Sequence, residues 1–178
     1  MSSQLRVDKI IPVDGTPTGG GGGIIQVVST NFTGTWSGSS GSNTFDTVTD
    51  LNTTITPKFN TSKIFIMLFI GQWDSSGSNQ RGGIRLLRDS TAICIGDAAS
   101  NRTRVSGTVV GSAGNTDTNG GFHINFLDSP ATTSAITYKV QSMTEGSHTT
   151  YVNRSAGDSD SSTITRGAST LSLMEISA

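Results

Sequence analysis

Apolar and polar residues alternate with a period of two over several short stretches of this chain. Phe122, Ile124 and Phe126 are interleaved with His123 and Asn125, and Leu171 and Leu173 with Thr170 and Ser172. Such alternation marks strands with one buried and one open face. Similar segments follow one another from Ile24 onward: Ile24–Ser29, Val105–Val110, Gly121–Leu127, Ala135–Gln141, Thr149–Val152 and Ser169–Ile176. Phe45, Thr47 and Thr49, then Leu51, Thr53 and Ile55, predict a pair of strands that Pro57 ends. Gly83–Arg88 and Ala92–Ile95 predict a hairpin around Asp89-Ser90. Gly34–Asn43 is a Gly/Ser-rich loop carrying Trp36, and Asp74–Gln80 is a second polar loop.

The strongest strand is Ser62–Trp73. Its run from Ile64 to Ile70 has no polar interruption, so it is expected to be buried on both faces, at a sandwich centre or a subunit seam. Ile64, Phe65, Ile66 and Phe69, with Phe122, Phe126, Leu171 and Leu173, are therefore the expected core or subunit contacts, and Phe65→Asp is expected to destroy assembly and fold together. About ten strands at this spacing predict an all-β, jelly-roll-like sandwich over residues 24–178. The last strand is expected to be interior.

The first 23 residues follow another pattern. Leu5, Val7, Ile10 and Ile11 surround the charged Arg6, Asp8 and Lys9, which predicts an extended arm over residues 1–14. Residues 15–23 end in five glycines, Gly19, Gly20, Gly21, Gly22 and Gly23, and predict a hinge. A phosphate-binding loop is excluded, because no Gly-Lys-Ser/Thr follows and the next segment is a strand.

Composition changes the picture in one respect. Ser and Thr make up 52 of 178 residues and hydrophobic residues only 33%, against roughly 45–50% apolar usage, Gly included, in ordinary domains. A monomer would have a thin core, so burial is expected to be completed by identical copies. A net charge of −1 with 14% charged residues leaves no electrostatic footprint for nucleic acid or an anionic membrane. The single Cys94 excludes an internal disulfide framework and is expected to be a buried, inert thiol. No stretch is long and apolar enough to span a bilayer, and the N-terminus lacks the apolar core of a signal peptide. The protein is expected to be made in a cytoplasm.

Catalytic chemistry finds little support. His123 and His148 are the available imidazoles, and no nucleophile elbow accompanies them. Asp74, Asp97, Asp117, Asp128, Asp158 and Asp160 all stand in turn-like company, where Asp bonds local backbone. Asn153, Asp158 and Asp160 offer oxygen ligands but lack the glycine and closing glutamate of an EF-hand loop. No cofactor and no metal are expected. Trp36, Trp73, Asn79 and Arg81, at or beside polar loops, are candidates for stacking on and bonding a sugar, although Trp73 is expected first to end a core strand and cap the sandwich. Arg81, Gly83 and Arg85 share one strand face, and a structural pairing of these arginines with Asp97 across subunits is expected.

Several segments together resemble the short tail-fibre and appendage proteins of marine and cyanobacterial tailed bacteriophages. The opening Leu5-Arg-Val-Asp-Lys-Ile10 is similar to their N-terminal start. Ile55-Thr-Pro57 with Ser62-Lys-Ile64, Leu87-Arg-Asp-Ser-Thr-Ala-Ile93, Phe126-Leu-Asp-Ser-Pro130, Tyr138-Lys-Val-Gln141, Tyr151-Val-Asn-Arg154 and Met174-Glu-Ile176 continue the likeness beyond residue 20. The resemblance implies a homotrimeric virion protein with a head of the tumour-necrosis-factor/C1q type. It implies an arm that docks on other virion proteins through Leu5, Val7, Ile10 and Ile11, and a host cell-surface glycan as ligand. A head decoration protein and a small lectin-like domain acting outside a virion are the competing expectations.

Overall fold

The structure, a computed structural model, describes residues 23–39, 41–77, 81–110 and 120–177. The expected arm and the hinge glycines Gly19 to Gly22 lie outside the described residues, as do Asn79 and Asp117. Eleven strands and no helix are found among the described residues: β1 (Ile24–Phe32), β2 (Trp36–Ser39), β3 (Asp46–Ile55), β4 (Lys63–Ser75), β5 (Arg81–Arg88), β6 (Thr91–Ile93), β7 (Gly107–Val110), β8 (Gly120–Asp128), β9 (Ile136–Thr144), β10 (Thr149–Val152) and β11 (Ser169–Ile176).

Every pairing is antiparallel, and the strands form two sheets. In the first, β1 pairs β11, β11 pairs β4 and β4 pairs β8. In the second, β3 pairs β9, β9 pairs β5, and β5 carries β6 and β7 on its far edge. The order β1-β11-β4-β8 facing β3-β9-β5-β7 is that of an eight-stranded jelly roll. The short pair β10 and β2 extends the first sheet beyond the end of β11, where β10 pairs Trp73 to Ser75 of β4. Residues 169–176 thus form an interior strand.

Alternation along β11 and β4 places Leu171, Leu173, Ile64, Ile66 and Leu68 fully inside. Leu51, Ile55, Ile84, Leu86, Tyr138 and Val140 meet them from the second sheet. Two polar groups in this layer are satisfied across it. The Trp73 indole N–H donates to Ser142 Oγ on β9 at 2.8 Å, and Thr53 Oγ1 donates to the Leu171 carbonyl at 3.0 Å. One end of the sandwich is closed by carboxylates on either side of Ile64. Asp128 accepts both Arg88 Nη1, at 2.9 and 3.0 Å, and the Tyr138 hydroxyl, at 2.7 Å. Burial, and then the bond to Asp128, push the Tyr138 phenol far above its ordinary range. Glu175 accepts from Gln26 Nε2 at 2.8 Å and from the Lys58 and Phe59 amides at 2.6 and 3.4 Å.

Three local departures from the sequence reading have simple causes. Residues 46–55 form one strand rather than two, with a β3–β9 register shift between Thr47 and Asn52. Two consecutive exposed residues, Thr49 and Asp50, restore the inward aim at Leu51. β4 runs through Ser75 instead of ending at Trp73, because an irregularity between Ile70 and Trp73 turns both residues inward. Trp36 opens the short strand β2 rather than sitting in a loop.

Candidate functional site

The register of the first sheet fixes what its outer face presents. Val27 stands opposite Met174, Met174 opposite Phe65 and Phe65 opposite Leu127. The next outward row is Ser29, Ser172, Met67 and Asn125, and the third is Asn31, Thr170, Phe69 and His123. None of these twelve residues is an Asp, Glu, Lys or Arg. Four large apolar side chains are widely open: Val27 at 56%, Phe69 at 48%, Leu127 at 44% and Met67 at 39%. Phe65, Met67 and Phe69 form a continuous apolar column down β4, crossed at one end by the all-apolar first row. A depression of about 180 Å³ lies between Met67, Phe69, His123, Asn125, Thr170 and Ser172.

The face has defined borders. Exposed Lys63 lies just beyond the first row. At the other end the segment following β10 folds back over the sheet, so that a side chain at Gly71 would collide with the Ala168 backbone. That segment is anchored from within. Buried Asn153 takes a left-handed φ of 63° and donates to the carbonyls of Phe32 and Gly34, at 2.8 and 2.9 Å. The Ser169 hydroxyl donates to Asn153 Oδ1 at 2.6 Å. Asp158 is clasped by Arg166, with bonds of 2.7 and 2.6 Å, and approached by Arg154 at 3.4 Å.

These contacts decide the fate of the proposed cation ligands. Asn153 has its oxygen engaged by Ser169, and Asp158 is held between two arginines, so neither is offered to an ion. Among the described residues no three His, Cys, Asp or Glu side chains come together as a metal site.

The other candidates fall in different places. Ile64, Ile66, Leu171 and Leu173 are core, and Phe122 and Phe126 pack against it half-buried. Phe65 and Phe69 instead point outward. Burial of β4 on both faces is therefore not found within one chain. Trp73 is fully enclosed and presents no surface to a ligand. Trp36 is half-buried against the core, with its ring over Gly38. Arg81 pairs with Glu145 at 3.1 Å rather than with Asp97, and Arg85 lies over the Phe45 ring at 3.6 Å. His123 faces outward opposite Phe69. Asp74 and Asp128 are buried strand residues, not turn residues. Cys94 is half-buried, at a φ of 51°, and burial raises its thiol pKa.

Glu145 escaped the sequence reading. It is joined to Arg81 by a bond from the Arg81 amide as well as the guanidinium, across 64 positions of chain, and no local motif announces such a pair.

Fold and faces together define an antiparallel jelly-roll sandwich with one uncharged, partly apolar outer sheet face. No family model matches the chain, and no curated protein matches it. Among solved structures it is similar to infectious bursal disease virus of the Gt strain, at 13% identity and a TM-score of 0.43 over 99% of this chain and 44% of that one. The Gx strain gives 14% identity and a TM-score of 0.42, over 85% of this chain and 38% of the other. T=1 particles derived from infectious bursal virus give 10% identity and 0.40, over 99% and 42%. The chain spans less than half the length of these proteins. Likeness at this level bears on neither fold nor function, and the jelly-roll assignment rests on the strand order.

Proposed function

We propose that this chain is a structural virion protein of a tailed bacteriophage, a homotrimeric tail-fibre or appendage protein used in host attachment, acting by assembly and binding rather than by catalysis. The uncharged outer face of β1-β11-β4-β8 carries this reading. Interface centres are depleted of charge and enriched in Phe and Met, and that composition is present here on an otherwise Ser/Thr-rich surface. Four strands about 4.8 Å apart and three rows about 7 Å apart give a face on the order of 400 Å². That is about half of one side of a standard interface. It suits the centre of a contact whose rim is polar. The resemblance to phage appendage proteins supplies the number three and the role of the arm: residues 1–14 dock to the virion and residues 15–23 take up the change of tilt.

Light scattering on the purified protein tests the assembly. The expected mass is three times the 18.5 kDa of the chain, and Phe69→Asp is expected to give a folded monomer with an unchanged β spectrum. A monomeric wild-type protein at micromolar concentration would overturn the reading. Deleting residues 1–18 is expected to leave a folded trimer that no longer incorporates into particles; normal incorporation would rule out the arm as the anchor.

A further inference from the structure

The far side of the sandwich carries a second concavity, of about 180 Å³. Five polar side chains from four separate segments surround it: Asn43, Arg81, Thr103, Thr108 and Glu145. Val105 and Met143 form an apolar floor, and Gly83 keeps that floor open, since a side chain there would run into Val105.

Its chemistry is specific in two ways. First, the charges cancel in place, because Arg81 donates to Glu145 through its amide at 3.2 Å and through Nη1 at 3.1 Å. The cleft therefore has no net charge with which to select an anion or a cation. Second, most of its hydrogen-bonding capacity is unused. Each Glu145 oxygen takes a single bond from Arg81, and the guanidinium keeps four further N–H groups. The Asn43 amide donates only to Ser42 Oγ, at 3.1 Å, leaving its carbonyl open. The Thr103 and Thr108 hydroxyls have no partner among the described residues. Donors and acceptors thus ring an apolar floor, which matches a ring with hydroxyls at its rim and C–H groups on its face. The volume is below the roughly 300–1,000 Å³ of pockets for drug-sized ligands, which suits one sugar unit rather than a chain of them.

We infer that this cleft binds a single neutral, polyhydroxylated sugar ring at the non-reducing end of a surface glycan, with Glu145 and Arg81 gripping adjacent hydroxyls and Met143 beneath the ring. The inference rests on the attachment reading proposed above and gives it a site. Self-association through the β1-β11-β4-β8 face leaves the cleft on the opposite sheet, open to the outside.

The four methionines make both questions readable in one experiment. Met143 lies in the cleft, Met67 and Met174 lie on the association face, and Met1 belongs to the arm. The full chain, labelled with ¹³C at the methionine methyls, is titrated with the methyl glycosides of glucose, galactose, mannose and N-acetylglucosamine, and with the corresponding free sugars. At least one glycoside is expected to shift the Met143 methyl saturably, leaving Met67 and Met174 in place. Glu145→Gln is expected to weaken that titration at least 10-fold without changing the other methyl positions. No Met143 shift with any sugar, shifts confined to Met67 or Met174, or a titration indifferent to Glu145→Gln would each overturn the proposal. A response to free sugars alone would overturn the surface-glycan assignment in favour of a soluble sugar. Concentration-dependent shifts of Met67 and Met174 report association separately, so loss of either property leaves the other readable.

Discussion

Glu175 shows how much of this fold depends on single polar residues. Its side chain is enclosed at one end of the sandwich, where burial by itself would raise its pKa. The Ser62 hydroxyl first, then Lys58 N, Gln26 and Phe59 N, more than offset burial and hold it below the usual carboxylate range. A carboxylate with a lowered folded pKa contributes stability that is fully present above its unfolded value of about 4.3 and is lost as pH falls through the folded value. Thermal unfolding of the wild type is therefore expected to become easier below about pH 4.5. Glu175→Gln should remove part of that acid sensitivity while costing about 1–3 kcal/mol at neutral pH, the loss typical of hydrogen bonds to a charged group. Gly82 makes a sharper case. A methyl group there would overlap the Trp73 ring and Val109 Cγ2, so Gly82→Ala is expected to destabilise by roughly 1–3 kcal/mol, read as a lowered Tm. Trp73 stands beside a polar loop in the sequence; Gly82, which makes room for its ring in the core, lies nine positions further on, in the next strand.

Elements were legible where alternation was clean. β8 and β11 follow directly from Phe122-His-Ile-Asn-Phe126 and Thr170-Leu-Ser-Leu173, and the Asp89-Ser90 turn from its chemistry, with Asp89 at a φ of 53°. What escaped has a common cause: irregularity that suspends the period. β2 is Trp-Ser-Gly-Ser, a composition that a loop shares, and it is a strand only because β10 pairs with it. The irregularity in β4 turns Trp73 inward two pairs after Ile70 and leaves Gly71 and Gln72 beneath the returning segment. Deleting Gly71 would restore strict alternation with Trp73 still aimed inward, but it would move Gln72 into the place of Gly71, where a side chain collides with the Ala168 backbone. That variant is expected to lose its cooperative thermal transition, as followed by near-ultraviolet circular dichroism.

Across the whole molecule, the two faces of one strand serve different ends. The unbroken run from Ile64 to Ile70 announced burial on both faces, at a sandwich centre or a subunit seam. The structure separates the two: Ile64, Ile66 and Leu68 face the core, and Phe65, Met67 and Phe69 face out. Phe65→Asp is accordingly expected to abolish association while sparing the fold, in place of the joint loss that the sequence suggested. Leu173→Ala should do the reverse first, costing about 2–5 kcal/mol of fold stability. Comparing sedimentation with thermal denaturation for both variants distinguishes the two roles. Which sheet faces which neighbour, and that Asn43, Arg81 and Glu145 meet in one cleft, depend on pairings between distant segments that local pattern does not carry.

The pairing of β1 with β11 joins Val27 to Met174, nearly the two ends of the head. Sandwiches closed by contacts so remote in sequence fold slowly, on the order of milliseconds to seconds. Until β11 docks between β1 and β4, β4 stands with one edge open and its apolar column uncovered, a template for the wrong neighbour. High chain concentration is therefore hazardous to unfinished heads. Recovery of native protein from denaturant should fall steeply as that concentration rises.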